Sequence, residues 1–120
     1  MEVVDKDLQI PEGLKGLGKE AAELVVAHIR ARHKAAFGND KEPTGGGCKT
    51  FYTPEEGKAR GEKYGRNALV IVVHDGGDVA PYFNWDYECY KMIEGLGEAL
   101  AKIGCFAEQC TGWYSAIYKD

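Results

Sequence analysis

The feature that most constrains the fold is an unbroken apolar run from Ala68 to Val73, the only long one in the chain. Its second part, Leu69–Val73, is mostly β-branched, which predicts a central strand that is covered on both faces or lies mid-sheet. Asp75-Gly76-Gly77-Asp78 follows and is typical of a tight turn, because glycine adopts positive φ without strain. We therefore expect Val79–Phe83 to return as an antiparallel partner, with Pro81 placing it at a sheet edge.

Two long helices are predicted, one on each side of this run along the chain. From Gly18 to about Phe37, apolar residues recur at three- and four-residue steps, as they do on one face of a helix. A second apolar stripe predicts a helix from Tyr87 to about Gly104, capped by Asn84 or Asp86. The first stripe consists of Ala21, Leu24, Val25, His28 and Ile29, and the second of Tyr90, Ile93, Leu96, Leu100 and Ile103.

Some residues on these helices allow two interpretations. Gly95 and Gly97 interrupt the second helix, and they indicate either a close contact with another element or a locally weak helix. His28 lies on the apolar stripe of the first helix and His33 points to a different side, so one ion cannot bind both from a straight helix. We interpret both histidines as structural.

Shorter elements complete the pattern. Lys49–Thr53 predicts a short strand, and Thr53-Pro54-Glu55-Glu56 has the hydroxyl cap, early proline and acidic first turn of a helix that should end near Gly65. Phe106–Cys110 and Trp113–Tyr118 predict a hairpin, because bulky aromatic and β-branched residues favour strands.

The predicted fold class is α+β. The expected architecture is a two-layer sandwich with a mainly antiparallel sheet of about five strands, two long helices and one short helix, in the order α-β-α-β-β-α-β-β. Strands 49–53 and 69–73 flank a helix and could instead pair in parallel through a crossover. A length of 120 residues fits one domain, 1–120. We expect 1–17 to form an N-terminal arm and the glycine-rich segment 39–47 a flexible loop.

Charge and composition narrow the classes of function. The net charge is −4, and residues 61–120 carry five basic and nine acidic side chains, so nucleic acid is a disfavoured partner. No apolar run approaches the ~20 residues of a membrane span, which predicts a cytoplasmic protein without a membrane partner. The four cysteines form no Cys-x-x-Cys pair and are predicted to be free thiols, and no cofactor is predicted.

The first candidate site follows the central strand. His74, Asp75 and Asp78 could hold a divalent cation, or a histidine beside an aspartate could act as a general base. The same residues are also what an ordinary hairpin turn contains, because aspartates bond their own backbone there. Neighbouring strand residues point to opposite faces, so His74 and Asp75 converge only if the turn redirects one of them.

Aromatic residues suggest a second candidate surface. Tyr82 and Trp85 follow the turn, and Trp113 and Tyr114 lie in the last hairpin; such rings are enriched where a surface binds a partner or encloses a small ligand. Glu108 and its neighbour Gln109 should lie on opposite faces of that hairpin, and the inward one must find a polar partner or line a pocket.

One local basic cluster is interpreted as a solvated face, with anion or phosphate contact as the alternative. Its members are Lys58, Arg60, Lys63 and Arg66.

Three motifs together resemble a group of small uncharacterised proteins encountered in phage and other mobile DNA. They are His-Asp-Gly-Gly-Asp-x-x-Pro-Tyr-Phe-Asn from His74 to Asn84, Asp-Tyr-x-x-Tyr-Lys from Asp86 to Lys91, and Ala-Glu-Gln-Cys-Thr-x-Trp-Tyr from Ala107 to Tyr114. The resemblance covers roughly residues 51–119. It implies an accessory protein rather than a housekeeping enzyme, and it assigns no activity to any residue.

The leading hypothesis is a small soluble binding or interaction domain that could form a homodimer. Its working surface would include the 74–86 segment and the Trp113 hairpin, and its partner would be a protein or a small molecule. The alternative is a small metal-dependent hydrolase-like enzyme that uses His74, Asp75 and Asp78. Whether the chain is an enzyme stays open at this point.

Overall fold

A computed structural model of the chain describes residues 6–62, 64–65 and 67–120. The arm predicted at 1–17 lies partly outside these residues, as do Lys63 and Arg66 of the basic cluster. Within the described part, the chain folds as an α+β domain with three α-helices and a four-stranded sheet. The strands are β1 (Phe51–Tyr52), β2 (Val70–Val73), β3 (Cys105–Gln109) and β4 (Tyr114–Lys119).

The first long helix, α1, spans Gly16–Phe37 and so begins slightly before the predicted start. Its buried residues include Ala21, Val25 and Ile29 of the predicted stripe. Gly18 allows the helix to lie directly on the start of β2, since a Cβ there would be 2.8 Å from the Leu69 carbonyl oxygen. The first helix prediction is confirmed.

The short helix α2 spans Pro54–Ala59. Its predicted start is confirmed by a complete capping box: Glu56 N donates to Thr53 Oγ1 at 3.1 Å, and Thr53 N donates to Glu56 Oε1 at 3.0 Å. The helix ends earlier than the expected Gly65, because Gly61 adopts a positive φ of 82°.

The sheet is antiparallel throughout, in the order β1-β2-β4-β3. Phe51 lies opposite Val72, so the alternative parallel pairing of the first two strands is wrong. The β3–β4 hairpin is confirmed, with Ala107 opposite Ile117.

The predicted fifth strand at Val79–Phe83 is wrong. Ala80–Tyr82 forms a 3₁₀ turn, with the Tyr82 N–H donating to the Val79 carbonyl at 3.1 Å. Pro81 cannot donate to a strand ladder but fits the first turn of a helix. The turn at Gly76-Gly77 also packs on another loop instead of reversing the chain into a hairpin, because the Asp78 N–H donates to the Thr44 carbonyl at 2.9 Å.

The second long helix, α3, spans Tyr90–Ala101 and is shorter than predicted. Asn84 does act as a cap, but for a separate 3₁₀ turn at Trp85–Tyr87. Glu88 follows with a left-handed φ of 57°, which separates this turn from α3. Leu96 and Leu100 are buried, whereas Tyr90 of the predicted stripe is half exposed.

Both faces of the sheet are covered. Val70, Val72 and Ile117 belong to the main core with α1 and α3. Ile71 and Tyr114 belong to a second cluster on the opposite face, where α2 and the turn after it cover the sheet. The expected two-layer sandwich is therefore incomplete as a description, because α2 adds a partial third layer on the second face of the sheet.

The loop predicted to be flexible, 39–47, makes specific contacts. Thr44 N donates to Asp78 Oδ2 at 2.8 Å, and Gly47 N donates to Asp7 Oδ2 at 3.0 Å. Glu42 pairs with Arg30 at 2.9 Å, and these charges hold the loop against α1.

The four cysteines are free thiols: Cys105 is buried, and Cys48, Cys89 and Cys110 are half-buried. No helix in the described ranges is long and apolar enough to cross a membrane.

Candidate functional site

His74 lies at the end of β2 and is 1% exposed. Its Nε2 is 2.9 Å from Ser115 Oγ, and its ring stacks on that of Phe83 with centroids 5.7 Å apart. Burial lowers the pKa of His74, against smaller raising effects from backbone hydrogen bonds and the Asp75 charge. The imidazole is therefore neutral near pH 7. It packs against Ser115 and Phe83, two residues that line the cavity described below, and stabilises their positions.

Within the ranges that the structure describes, neither aspartate of this segment hydrogen-bonds to His74, whose Nδ1 has no side-chain partner and whose Nε2 lies beside Ser115. Asp75 is exposed, and Asp78 turns toward α1, where its Oδ1 is 3.9 Å from His33 Nδ1. Among the described residues, no three His, Cys, Asp or Glu side chains form a group that could hold a metal ion. The geometry thus gives no support to a metal-dependent hydrolase built from His74, Asp75 and Asp78.

An apolar cavity of about 260 Å³, which we name the Trp85 pocket, lies between α3, the Ala80–Tyr87 segment and the β3–β4 hairpin. Trp85, 50% exposed, stands at its border. Phe106 also borders the pocket from β3, but its ring lies on the other face of the sheet, where it stacks on Tyr118 with centroids 5.5 Å apart. Its other walls are Tyr82, Phe83, Ile93, Glu94, Leu96, Gly97, Ala107, Gln109 and Ser115.

The side of this pocket next to the hairpin is held by Gln109, the inward member of the Glu108–Gln109 pair. Gln109 Oε1 accepts from Trp85 N at 3.0 Å, and its Nε2 donates to Asn84 Oδ1 at 3.2 Å and to the Thr111 carbonyl at 3.0 Å. Asn84 Nδ2 donates in turn to the Gly112 carbonyl at 3.1 Å. These bonds fix the Trp85 turn on the β3–β4 hairpin.

Gly97 keeps the opposite side of the pocket open. A Cβ at this position would have no atom within 4 Å, so a side chain here would extend into open space at the α3 border of the pocket. Gly95 has a different role, since its Cβ would lie 2.9 Å from Arg32 Nη2. Of the two interpretations of this glycine pair, close contact therefore holds for Gly95.

Trp113 and Tyr114 lie outside this pocket. Tyr114 is buried in the second cluster, where its hydroxyl accepts from Tyr64 N at 3.2 Å. Together with α2 and Ile71, the two rings leave a space of only about 10 Å³, too small for a ligand. Burial raises the pKa of Tyr114, which keeps its phenol protonated.

The basic cluster remains open to solvent in its described part. Lys58 and Arg60 are exposed, and the Arg60 guanidinium lies 4.8 Å from the centre of the Tyr52 ring. Lys49 Nζ approaches the same ring at 4.5 Å and also pairs with Glu56 at 2.8 Å. Arg60 of the cluster and its neighbour Lys49 thus both lie over the Tyr52 ring of β1.

The structure therefore divides the predicted site residues among several places. Tyr82 and Trp85 share the Trp85 pocket, and Glu108 borders a shallow open depression beside Trp85. Asp78 shares a separate cleft with Tyr82.

Two residues that line the Trp85 pocket, Gln109 and Gly97, are not among the predicted site residues. Their sequence signals are the alternation of Glu108 with Gln109 along a strand and a glycine within a helical stripe. Comparisons of the chain with family models, with curated proteins and with solved structures found no match.

Proposed function

We propose that this chain is a small binding domain that takes an extended segment of a partner protein along β3 and inserts one large apolar side chain of that segment into the Trp85 pocket. The observation that supports the proposal is the coincidence of an open sheet edge with an apolar pocket directly beside it. An accessory role, as the resemblance to proteins of mobile DNA implies, would be a binding role of this kind.

The open edge is β3. It is the outermost strand next to β4, and no other described strand pairs with it. The Cys110 N–H donates to the Tyr114 carbonyl and the Asp120 N–H to the Gly104 carbonyl, which fixes the alternation of the ladder. The backbone groups of Ala107 and Gln109 consequently point away from β4. An extended peptide can add to such an edge as a further strand.

The size of the pocket favours a side chain over a free ligand. Small-molecule sites usually enclose about 300–1,000 Å³, and the Trp85 pocket holds about 260 Å³. The exposed Trp85 beside this apolar recess is one of the residue types that dominate binding energy at protein interfaces. The Gln109 bonds hold this surface in shape before a partner arrives, which lowers the entropic cost of binding.

The test is selection from a displayed library of random linear peptides. We expect the selected peptides to share one large apolar residue within an extended pattern, and to shift the backbone amide signals of Ala107 and Gln109 in NMR spectra. Gly97→Leu should fill the pocket and weaken binding at least about tenfold, because the apolar anchor is excluded. Leucine also favours a helix over glycine, so the variant should fold.

Ala101→Leu is the matched control, since Ala101 is exposed on the same helix and does not line the pocket. Equal peptide binding by the Gly97→Leu variant and the parent would overturn the proposal, as would a failure to select any peptide. A concentration-dependent dimer that Gly97→Leu abolishes would identify the partner as a second copy of the chain.

A further inference from the structure

A second cleft, which we name the Arg32 cleft, lies between the last turns of α1, the 3₁₀ turn at Ala80–Tyr82 and the first turn of α3. Its volume is about 380 Å³, which falls within the range of small-molecule sites. It differs from the Trp85 pocket in chemistry, because Arg32, His33, Asp78 and Tyr82 stand beside apolar Phe37 and Met92.

Arg32, the guanidinium of this cleft, has no anionic partner among the described residues. Arg32 Nε donates to His28 Nε2 at 3.2 Å, and no carboxylate in the described part of the chain forms a salt bridge with its guanidinium. Gly95 faces Arg32 Nη2 from α3 and has no side chain that could cover it. An exposed guanidinium with free N–H donors is a strong partner for a carboxylate.

Tyr82 provides a second donor. The side chain is buried and lines this cleft, and burial raises the pKa of its phenol, an effect that Arg32 opposes and Asp78 reinforces. The hydroxyl is therefore protonated at neutral pH and can donate to an anion. Arg32 and Asp78 line the same cleft as Tyr82. The His28 ring, which accepts from Arg32 Nε, meets the Tyr82 ring edge-on with centroids 5.9 Å apart.

The far wall combines a carboxylate with apolar surface. Asp78 is anchored through Oδ2 by Thr44 N at 2.8 Å, while its Oδ1 faces His33 at 3.9 Å. The His33 ring packs on Phe37 at 4.7 Å, and Phe37 itself is 66% exposed. An apolar group placed here would cover an aromatic surface that is otherwise open to water.

We propose that the Arg32 cleft binds a small organic carboxylate that carries a large apolar group. Arg32 and the Tyr82 hydroxyl hold the carboxylate, and Phe37 and Met92 contact the apolar group. Two classes of ligand have this chemistry, amino acids and simple carboxylic acids. They differ in the ammonium group beside the carboxylate, and this ammonium group would lie toward Asp78. Phenylalanine has that group and 3-phenylpropionate lacks it.

The experiment titrates both compounds into the protein by NMR at neutral pH, with 2-phenylethylamine as the probe without a carboxylate. We expect saturable shifts at cleft residues with at least one of the two carboxylates and none with the amine. Arg32→Gln should weaken binding at least about tenfold through loss of the charge-assisted bonds, with Arg32→Lys intermediate. Tighter binding of phenylalanine than of 3-phenylpropionate, removed by Asp78→Asn, would assign the ligand as an amino acid.

Two controls separate this site from other effects. Lys19→Gln removes the same charge from an exposed position on α1 and should leave binding unchanged. Gly97→Leu blocks the Trp85 pocket and should also leave it unchanged, so the two proposals fail independently. Two results would overturn the assignment. One is the absence of shifts with both carboxylates at about 10 mM, a concentration that would reveal binding with a millimolar Kd. The other is equal binding by the Arg32→Gln variant and the parent.

Discussion

His74 connects the central strand to the wall of the Trp85 pocket, and its burial makes the fold sensitive to pH. The pKa of His74 is lowered from 6.5 by burial, and the pKa of His28 is lowered by burial and by the Arg32 charge. As the pH falls below about 6.5, the unfolded chain binds protons that the folded chain binds only at lower pH. The free energy of unfolding should therefore decrease on acidification.

We expect urea denaturation at pH 7.5, 6.5 and 5.5 to show this decrease, with a slope of at most about 1.4 kcal/mol per pH unit for each histidine. His74→Gln should reduce the slope even if it lowers stability at pH 7.5, because glutamine does not titrate. His28→Gln should reduce it as well. An unchanged slope in the His74→Gln variant would show that the imidazole is not protected from protonation in the folded state.

At the same scale, the candidate residues show why sequence neighbours need not meet. His74 and Asp75 follow a strand, so successive side chains leave in different directions, and the turn sends Asp78 toward α1 instead of back to His74. Gln109 reaches Trp85 across 24 positions. Its need for polar partners could be predicted from the strand pattern, whereas the identity of those partners depends on how distant segments pack.

At the scale of elements, α2 is short and depends on its first turn. Thr53→Ala removes the side chain that accepts from Glu56 N and should cost about 1 kcal/mol of stability, the usual value for losing such a cap. Glu55→Ala is the matched control, because Glu55 is exposed in the same turn and takes no part in the capping box. Equal urea midpoints for both variants would contradict a stabilising role of the cap.

The elements with a strong local pattern were predictable, and those decided by distant contacts were not. The capped start of α2, the β-branched β2 and the aromatic hairpin follow from residue preferences. The segment 79–83 follows a glycine turn, as the return strand of a hairpin would, but Pro81 and the bond between Asp78 and Thr44 select a 3₁₀ turn. That bond joins two loops 34 positions apart, so the local sequence could not reveal it.

At the scale of the whole molecule, the two faces of the sheet share the same strands and should unfold together. Trp85 lies on the side of the sheet that α3 covers, and Trp113 belongs to the cluster on the opposite face, which α2 covers. The chain has only these two tryptophans. Trp85→Phe and Trp113→Phe variants, each with one tryptophan, should therefore report the same urea midpoint as circular dichroism on the same variant. A fluorescence midpoint that departs from the circular dichroism midpoint in either variant would indicate that one face loosens first.

The layout of the sites was beyond the sequence for a related reason. The fold class follows from the order of elements, yet both cavities form where elements from different parts of the chain approach. The Trp85 pocket requires α3 to lie beside β3, and the Arg32 cleft requires α1 to approach the Ala80–Tyr82 turn. Of the two helix glycines, Gly95 indicated that α3 lies close to α1, whereas Gly97 lies beside open space.

The contact between the two glycine turns bears on how the protein can be engineered. A glycine-rich surface loop such as 39–47 is where an epitope or a protease site is usually inserted. Here the Gly46 and Gly77 backbones touch, since a Cβ on Gly77 would lie 2.5 Å from Gly46 N. Lengthening the loop would displace Thr44, whose N–H anchors Asp78. A protein with an epitope inserted in this loop should therefore bind carboxylates differently, although every residue of the Arg32 cleft is unchanged.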